Sequence, residues 1–420
     1  MLNLKKSLST QNLIYFTIFI TPLYLVKIGI FGLPSNILEL AICVVFFRWI
    51  LEKYPSFQFK IQKNFYSNTI AILLIFSGLF ASTLANQNYR VGFGIIKGWF
   101  FIPLIFGLIV YKTIRTKNDI RKILKCIFYS ASATSIIGIF YLISSNLTFN
   151  GRLQIFFLSP NHLAMFLSFG FLIGFYLVKE KIFKKNMDNN FIFYSSLFFC
   201  IAIVLYFTYS YAAWLSIAAG LSVAHIFSSK NKKRLLSAIF LIIACVSLLF
   251  YFQFGNQKFQ DLKNFSDRSS SASRLMIWSS AWKIGSDHWF WGIGSGNFQT
   301  EYLEYQKYFP SYLEWAVPQP HNLYLAFWLQ SGLIGFFGFI FLIFLWFRSL
   351  LSAFKKQKDG LVLAAILFSL MLSLLFHGIF DTPYWKNDLS FLFWIIFFLG
   401  ISLAKKPMGD PADKVSRPSD

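Results

Sequence analysis

The chain has 420 residues, 56 % of them apolar and 20 % aromatic against 13 % charged, with a mean hydropathy of +0.57. These proportions exclude a soluble globular enzyme, with or without a single anchor, and describe a polytopic membrane protein: a bilayer helix takes roughly 20 apolar residues, so the length holds about a dozen. The net charge of +22 does not indicate nucleic acid, because the 39 Lys and Arg fall in short clusters between apolar runs and not along one amphipathic face.

Lys5 and Lys6 precede a first apolar run, Leu13 to Ile30, that lacks a small-residue cleavage site and reads as a retained span. Further runs cover Ile37 to Leu51, Thr69 to Ala85, Gly94 to Tyr111, Ile127 to Ser144 and Asn161 to Val178. The stretch from Phe191 to Ser228 is too long for one helix, and Thr208, Tyr209 and Ser210 supply a turn between two spans, Phe191 to Phe207 and Ala212 to Phe227. Leu235 to Phe252, Asn322 to Phe347, Leu361 to Phe380 and Leu389 to Ala404 complete an all-α set of about 12 transmembrane helices. With the N-terminus inside, clusters such as Lys112 to Lys125, Lys179 to Lys185 and Lys230 to Arg234 fall on the cytoplasmic side, so both termini are expected there. Cys43, Cys126, Cys200 and Cys245 lie in or beside apolar runs and read as small packing residues.

The expected organisation is nine spans in residues 1–252, a large outer loop in 253–320, three spans in 321–406 and a disordered cytoplasmic tail in 407–420. The loop balances acids and bases and carries Trp278, Trp282, Trp289, Phe290, Trp291 and Phe298, so it is expected to fold and to be functional. Ser270 to Ser286 has helical spacing with Arg274, Trp278, Ala281 and Trp282 on one face.

Polar and ionisable groups concentrate at the outer ends of spans, where uncompensated charge is costly and calls for a reason. They are Arg152 with Ser159 to His162; Tyr209 to Tyr211; Arg274 with His288 to Phe298; Gln319 to Asn322; and His377 to Asn387. Arginine suits a diphosphate because its planar fork donates two hydrogen bonds and stays charged. Taken singly, Arg152 and Arg274 read first as solvated loop charges or headgroup contacts; beside a histidine and an acid on the same face, the functional reading leads. His321 is either a helix-start histidine bonded to backbone or a general base, and Asp381 either orients that imidazole or is a loop acid. Gly332, Gly335 and Gly338 read as close helix packing. Gly292, Gly294 and Gly296 lack the strand and lysine of a nucleotide loop, and His288 lacks partners at metal-ligand spacing. His162 and His225 read as single helix histidines.

Together these residues resemble the O-antigen ligase and polymerase family of bacterial membrane enzymes. His321-Asn322 followed by Gly332-Leu-Ile-Gly335 is similar to its signature, and Ser273-Arg274 through Phe298 is similar to its large periplasmic loop. Arg152 with Pro160-Asn161, and Phe380-Asp381 through Asn387, complete the ordered set. The resemblance implies a GT-C-like glycosyltransferase in the bacterial inner membrane, with its active site on the periplasmic face, using an undecaprenyl-diphosphate-linked glycan as donor without nucleotide sugar, metal or other cofactor. His321 and Asp381 would be catalytic; Arg152 and Arg274 would bind the diphosphate; Asn161, Ser210, Asn322 and Tyr384 would support them. One departure is that Ser210 is followed by Tyr211, where such proteins often carry arginine. Either Arg152 and Arg274 suffice, or Lys97 near the outer part of the fourth span contributes, or the substrate has drifted. The acceptor would be lipid A-core for a ligase, glycan for a polymerase and protein for an O-oligosaccharyltransferase; the motifs lean to the ligase. A solute transporter, for bicarbonate for example, is the competing class, but its ionisable groups would cluster near the midplane.

Overall fold

The computed structural model describes residues 9–30, 33–53, 65–228, 247, 251, 254–255, 260, 270–309, 317–356 and 361–405. The protein is an all-α polytopic membrane protein, and among the described residues seven helices are long and apolar enough to cross a bilayer. They are α3 (Tyr66–Ala85), α4 (Tyr89–Thr113), α5 (Lys117–Ile143), α6 (Pro160–Phe183), α7 (Asn189–Phe207), α11 (Leu323–Lys356, apolar through Ser352) and α13 (Asn387–Lys405). Two shorter apolar helices, α8 (Tyr211–Ser228) and α12 (Leu361–His377), accompany them. The predicted ninth span, Leu235 to Phe252, apart from residues 247 and 251, the cluster Lys230 to Arg234 and the tail lie outside the described residues.

The first apolar run departs from expectation. It is helical only in α1 (Thr10–Phe19), then passes through a 3₁₀ turn, Thr21–Leu25, into an antiparallel hairpin of β1 (Lys27–Ile30) and β2 (Leu33–Asn36). Ten helical residues reach about 15 Å, half a hydrocarbon core. Pro22 explains the stop: it sits at the start of the 3₁₀ turn, a position that tolerates its missing N–H, but within a longer helix it would remove a backbone bond. α2 (Ile37–Lys53) then begins at Asn36, whose side-chain oxygen accepts from the Glu39 N–H at 2.9 Å.

α13 is the central element, with 89 % of Asn387–Ala404 buried, whereas 22 % of the apolar stretch of α7 is buried, which places α7 at the periphery. α3 packs along α11, and α8 along α12. Gly335 and Gly338 serve the close packing expected of them: a Cβ on Gly335 would meet Ser331 within its own turn, and Gly78 of α3 lies against the Gly335 backbone. Gly332 does something else. At φ 62° and ψ −174° it breaks α11, and the loop crosses the break: Ile293 N–H donates to the Leu329 carbonyl at 2.6 Å and Leu333 N–H to the Phe290 carbonyl at 3.0 Å. The freed carbonyl and amide are thus satisfied by the loop.

The large loop folds where it is described. It contains α9 (Ser270–Asp287) and α10 (Phe298–Tyr305), with Ile277, Ala281, Ile284, Ile293, Phe298 and Tyr302 in a small core of its own. Trp282 lies outside that core, 64 % exposed, in edge contact with Trp328 of α11. Gly292, Gly294 and Gly296 all have positive φ, which allows backbone contact with two helices: Asn86 beyond α3 donates to the Gly292 carbonyl, Gly294 N–H donates to Ser82 Oγ, and Gly296 N–H to Gln330 Oε1.

Candidate active site

The turn before α11 and the turn between α12 and α13 meet at one end of the bundle. Asn322 caps α11 by accepting from the Tyr324 and Leu325 amides at 3.0 Å each, and its amide donates to the Ile379 carbonyl at 3.0 Å. Leu323 N–H donates to the Gly378 carbonyl at 2.7 Å. This lacing holds His321, just outside the cap, at φ 46°, a left-handed conformation that a non-glycine residue adopts only when its surroundings impose it. Trp278 of α9 adds its indole N–H to the His321 carbonyl at 3.2 Å.

In that pose His321 Nδ1 lies 3.2 Å from Asp381 Oδ1. The Asp381 side chain is 5 % exposed and that of His321 37 %, so the carboxylate is buried behind an imidazole that solvent or substrate can reach. Oδ1 also accepts from Thr382 N–H at 2.8 Å and Oδ2 from Asn161 at 3.4 Å. Burial opposes the charged form of Asp381, yet His321, Lys386 and Arg274 outweigh it and hold the carboxyl well below the usual carboxylate range.

Asn161, in the first turn of α6, bridges the acid to an arginine: its oxygen accepts from Arg152 Nη2 at 2.6 Å while its amide faces Asp381. Arg152 Nε donates to the Thr208 carbonyl in the turn before α8 at 2.8 Å. Arg274 comes from α9 and donates Nε to the Phe380 carbonyl, beside Asp381, at 2.8 Å. The two guanidinium groups feel each other. Burial, and then the charge of Arg274, draw Arg152 down to about 10, still a cation at neutral pH. Two like charges held together in a half-buried position are an electrostatic cost that a bound anion would relieve.

The structure therefore brings together Arg152, Asn161, Arg274, His321, Asn322 and Asp381. The others stand differently. Ser210 is buried, its hydroxyl without a hydrogen-bond partner among the described residues. Tyr384 is fully buried, its hydroxyl donating to the Trp99 carbonyl at 3.1 Å and accepting from Trp394 at 3.0 Å, which makes it a packing element between α4 and α13. Lys97 belongs to a second cluster, in a π-helical turn of α4 (Ile96–Phe101): its ammonium meets Glu39 Oε2 at 3.0 Å and the Pro34 carbonyl at 2.9 Å.

His162 is not a single helix histidine. Its Nε2 lies 3.0 Å from both oxygens of Asp388 and 3.2 Å from the Tyr24 hydroxyl, with the His162 and Asp388 side chains fully buried. The pair clamps the start of α6 to the start of α13, one residue from Asn161 and seven from Asp381. Sequence reasoning missed Asp388, Tyr24 and Glu39; the available signal was that a carboxylate in the first turn of an apolar span needs a partner.

The fold and site define a polytopic membrane protein with a histidine–carboxylate pair and two arginines gathered at one end of its bundle. Residues 196–340 match the family model described as O-antigen ligase, so the chain carries a domain of the O-antigen ligase/polymerase family, a membrane-glycosyltransferase type. No curated protein matches the chain.

Proposed function

We propose that the protein transfers a glycan from undecaprenyl diphosphate to an acceptor hydroxyl on the periplasmic face of the bacterial inner membrane, as an O-antigen ligase with lipid A-core as acceptor. The observation that carries this is the contact of His321 with buried Asp381 beside two converging arginines.

Asp381 accepts the Nδ1 hydrogen of His321 and so leaves Nε2 as the basic nitrogen. Nε2 takes the acceptor proton as the acceptor oxygen bonds to the anomeric carbon of the donor. The bond from that carbon to the diphosphate oxygen breaks, and its electron pair leaves on the undecaprenyl diphosphate. Charge grows on the leaving diphosphate during this step, and Arg152 and Arg274, already fixed by the Thr208 and Phe380 carbonyls, are preorganised to receive it. Nε of each arginine is held by a backbone carbonyl and Nη2 of Arg152 by Asn161, which fixes both guanidinium groups beside the His321–Asp381 pair. Lys97, held by Glu39, has a lesser part in this scheme.

The test is transfer by the purified protein in detergent with chelator present, from a purified undecaprenyl-diphosphate-linked glycan to an acceptor. One undecaprenyl diphosphate released per new glycosidic bond is expected. An intact donor, or its release by water with no acceptor glycosylated, would overturn the reading.

A further inference from the structure

The end of the bundle opposite His321 has a cavity that none of the candidate active-site residues lines. It has a volume of about 290 Å³ and lies between the start of α5, the last turns of α6, Tyr194 of α7 and the start of α12. Lys181 stands 20 residues beyond Asn161 along α6, which puts the cavity about 30 Å from the candidate active site.

Its walls have two characters. The mouth carries Arg121, Lys122, Lys125, Lys181 and Lys184 against the single lining acid Glu180. Glu180 binds Lys184 at 2.8 Å and stands 3.8 Å from Arg121, and Asp188 binds Lys181 at 2.9 Å. Five cations thus meet two carboxylates, and neither acid makes a forked contact with the Arg121 guanidinium. Lys125 lies 5.2 Å over the ring of buried Tyr194, which fixes it at the cavity wall. Deeper in, Ile173, Leu177, Leu363 and Ile366 give an apolar floor, and Val362, 44 % exposed, continues it onto the outer surface of the bundle.

We propose that this cavity binds the phosphate of an anionic membrane lipid, the headgroup lying against Arg121, Lys122 and Lys125 and the chain running over Leu177 and Val362. Surplus positive charge recognises the phosphate, whether it is free or carried on a lipid. The apolar wall that leads out of the cavity favours the lipid-borne form.

The experiment is native mass spectrometry of the full chain released from neutral detergent. Dioleoyl phosphatidylglycerol, dioleoyl phosphatidylcholine and inorganic phosphate are offered separately and in competition. The wild-type protein should retain one phosphatidylglycerol in preference to phosphatidylcholine by at least about tenfold, and Arg121→Gln/Lys122→Gln should lose that preference. These side chains are exposed, so the thermal midpoint of the double variant should be unchanged; Lys125→Gln should give the same loss independently. Saturable inorganic phosphate with no preference for phosphatidylglycerol would overturn the lipid assignment in favour of a soluble phosphate. Equal retention of both lipids by wild type and variants, with no phosphate bound, would overturn the site.

Discussion

Removing the carboxylate behind His321 while keeping its shape separates orientation from mere proximity. In Asp381→Asn the position of Oδ1 still faces both Thr382 N–H and Nδ1, so an amide N–H turned toward Nδ1 gives up the Thr382 bond, Nδ1 would then have to accept, and the basic lone pair at Nε2 is lost. At 3.2 Å an imidazolium and a carboxylate attract by about 5 kcal/mol at an effective dielectric of ~20. Water at the 37 %-exposed imidazole reduces this to roughly 2–3 kcal/mol, which corresponds to about a hundredfold in rate. The expected loss in glycan transfer for Asp381→Asn is therefore about 10², and His321→Ala should lose at least as much. Because the two act as one unit, the double variant should be little slower than His321→Ala alone. The assay is single-turnover transfer from undecaprenyl-diphosphate-linked glycan, with thermal midpoints in detergent to exclude misfolding. Multiplicative losses, reaching about 10⁴ in the double variant, would refute the coupling.

Arg274→Lys should lower transfer by roughly 10²–10³, since lysine cannot hold the Phe380 carbonyl and present a fork to a diphosphate together; wild-type rates would return Arg274 to a structural role. Gly332→Ala should cost about 1–3 kcal/mol, read as a lower thermal midpoint, because its Cβ would fall 2.4 Å from the Phe290 carbonyl oxygen at a positive φ; Gly94→Ala, with nothing within 4 Å, is the neutral control. Asp388→Leu should destabilise by about 1–3 kcal/mol by removing a buried hydrogen-bond partner of His162, and His162→Phe/Asp388→Leu should recover much of that; equal midpoints for the single and double variants would contradict the account.

The long spans were legible because apolar runs of near-constant composition have few alternatives to a bilayer helix, and the turn at Thr208 to Ser210 showed as the polar break between two of them. The first run misled because hydropathy does not register Pro22: the same apolar residues serve a short helix, a 3₁₀ turn and a hairpin. Gly332 looked like its neighbours Gly335 and Gly338, since spacing alone does not distinguish a glycine chosen for smallness from one chosen for positive φ. Of the candidate site, the residue types could be read, and six of them gather at one end of the bundle. What could not be read is what fixes them. Arg152 and Arg274 are anchored by the Thr208 and Phe380 carbonyls, and every sequence has carbonyls everywhere. The His162–Asp388 pair joins residues 226 positions apart, a distance over which one sequence carries no pairing signal.

The central claim is a single displacement: one acceptor hydroxyl, deprotonated by His321, expels undecaprenyl diphosphate directly. Nuclear magnetic resonance of the product made from a donor of known anomeric configuration tests it most directly. The account predicts that the new glycosidic linkage has the inverted configuration at the transferred sugar, and a retained configuration would contradict it by requiring a covalent glycosyl intermediate or an equivalent second displacement.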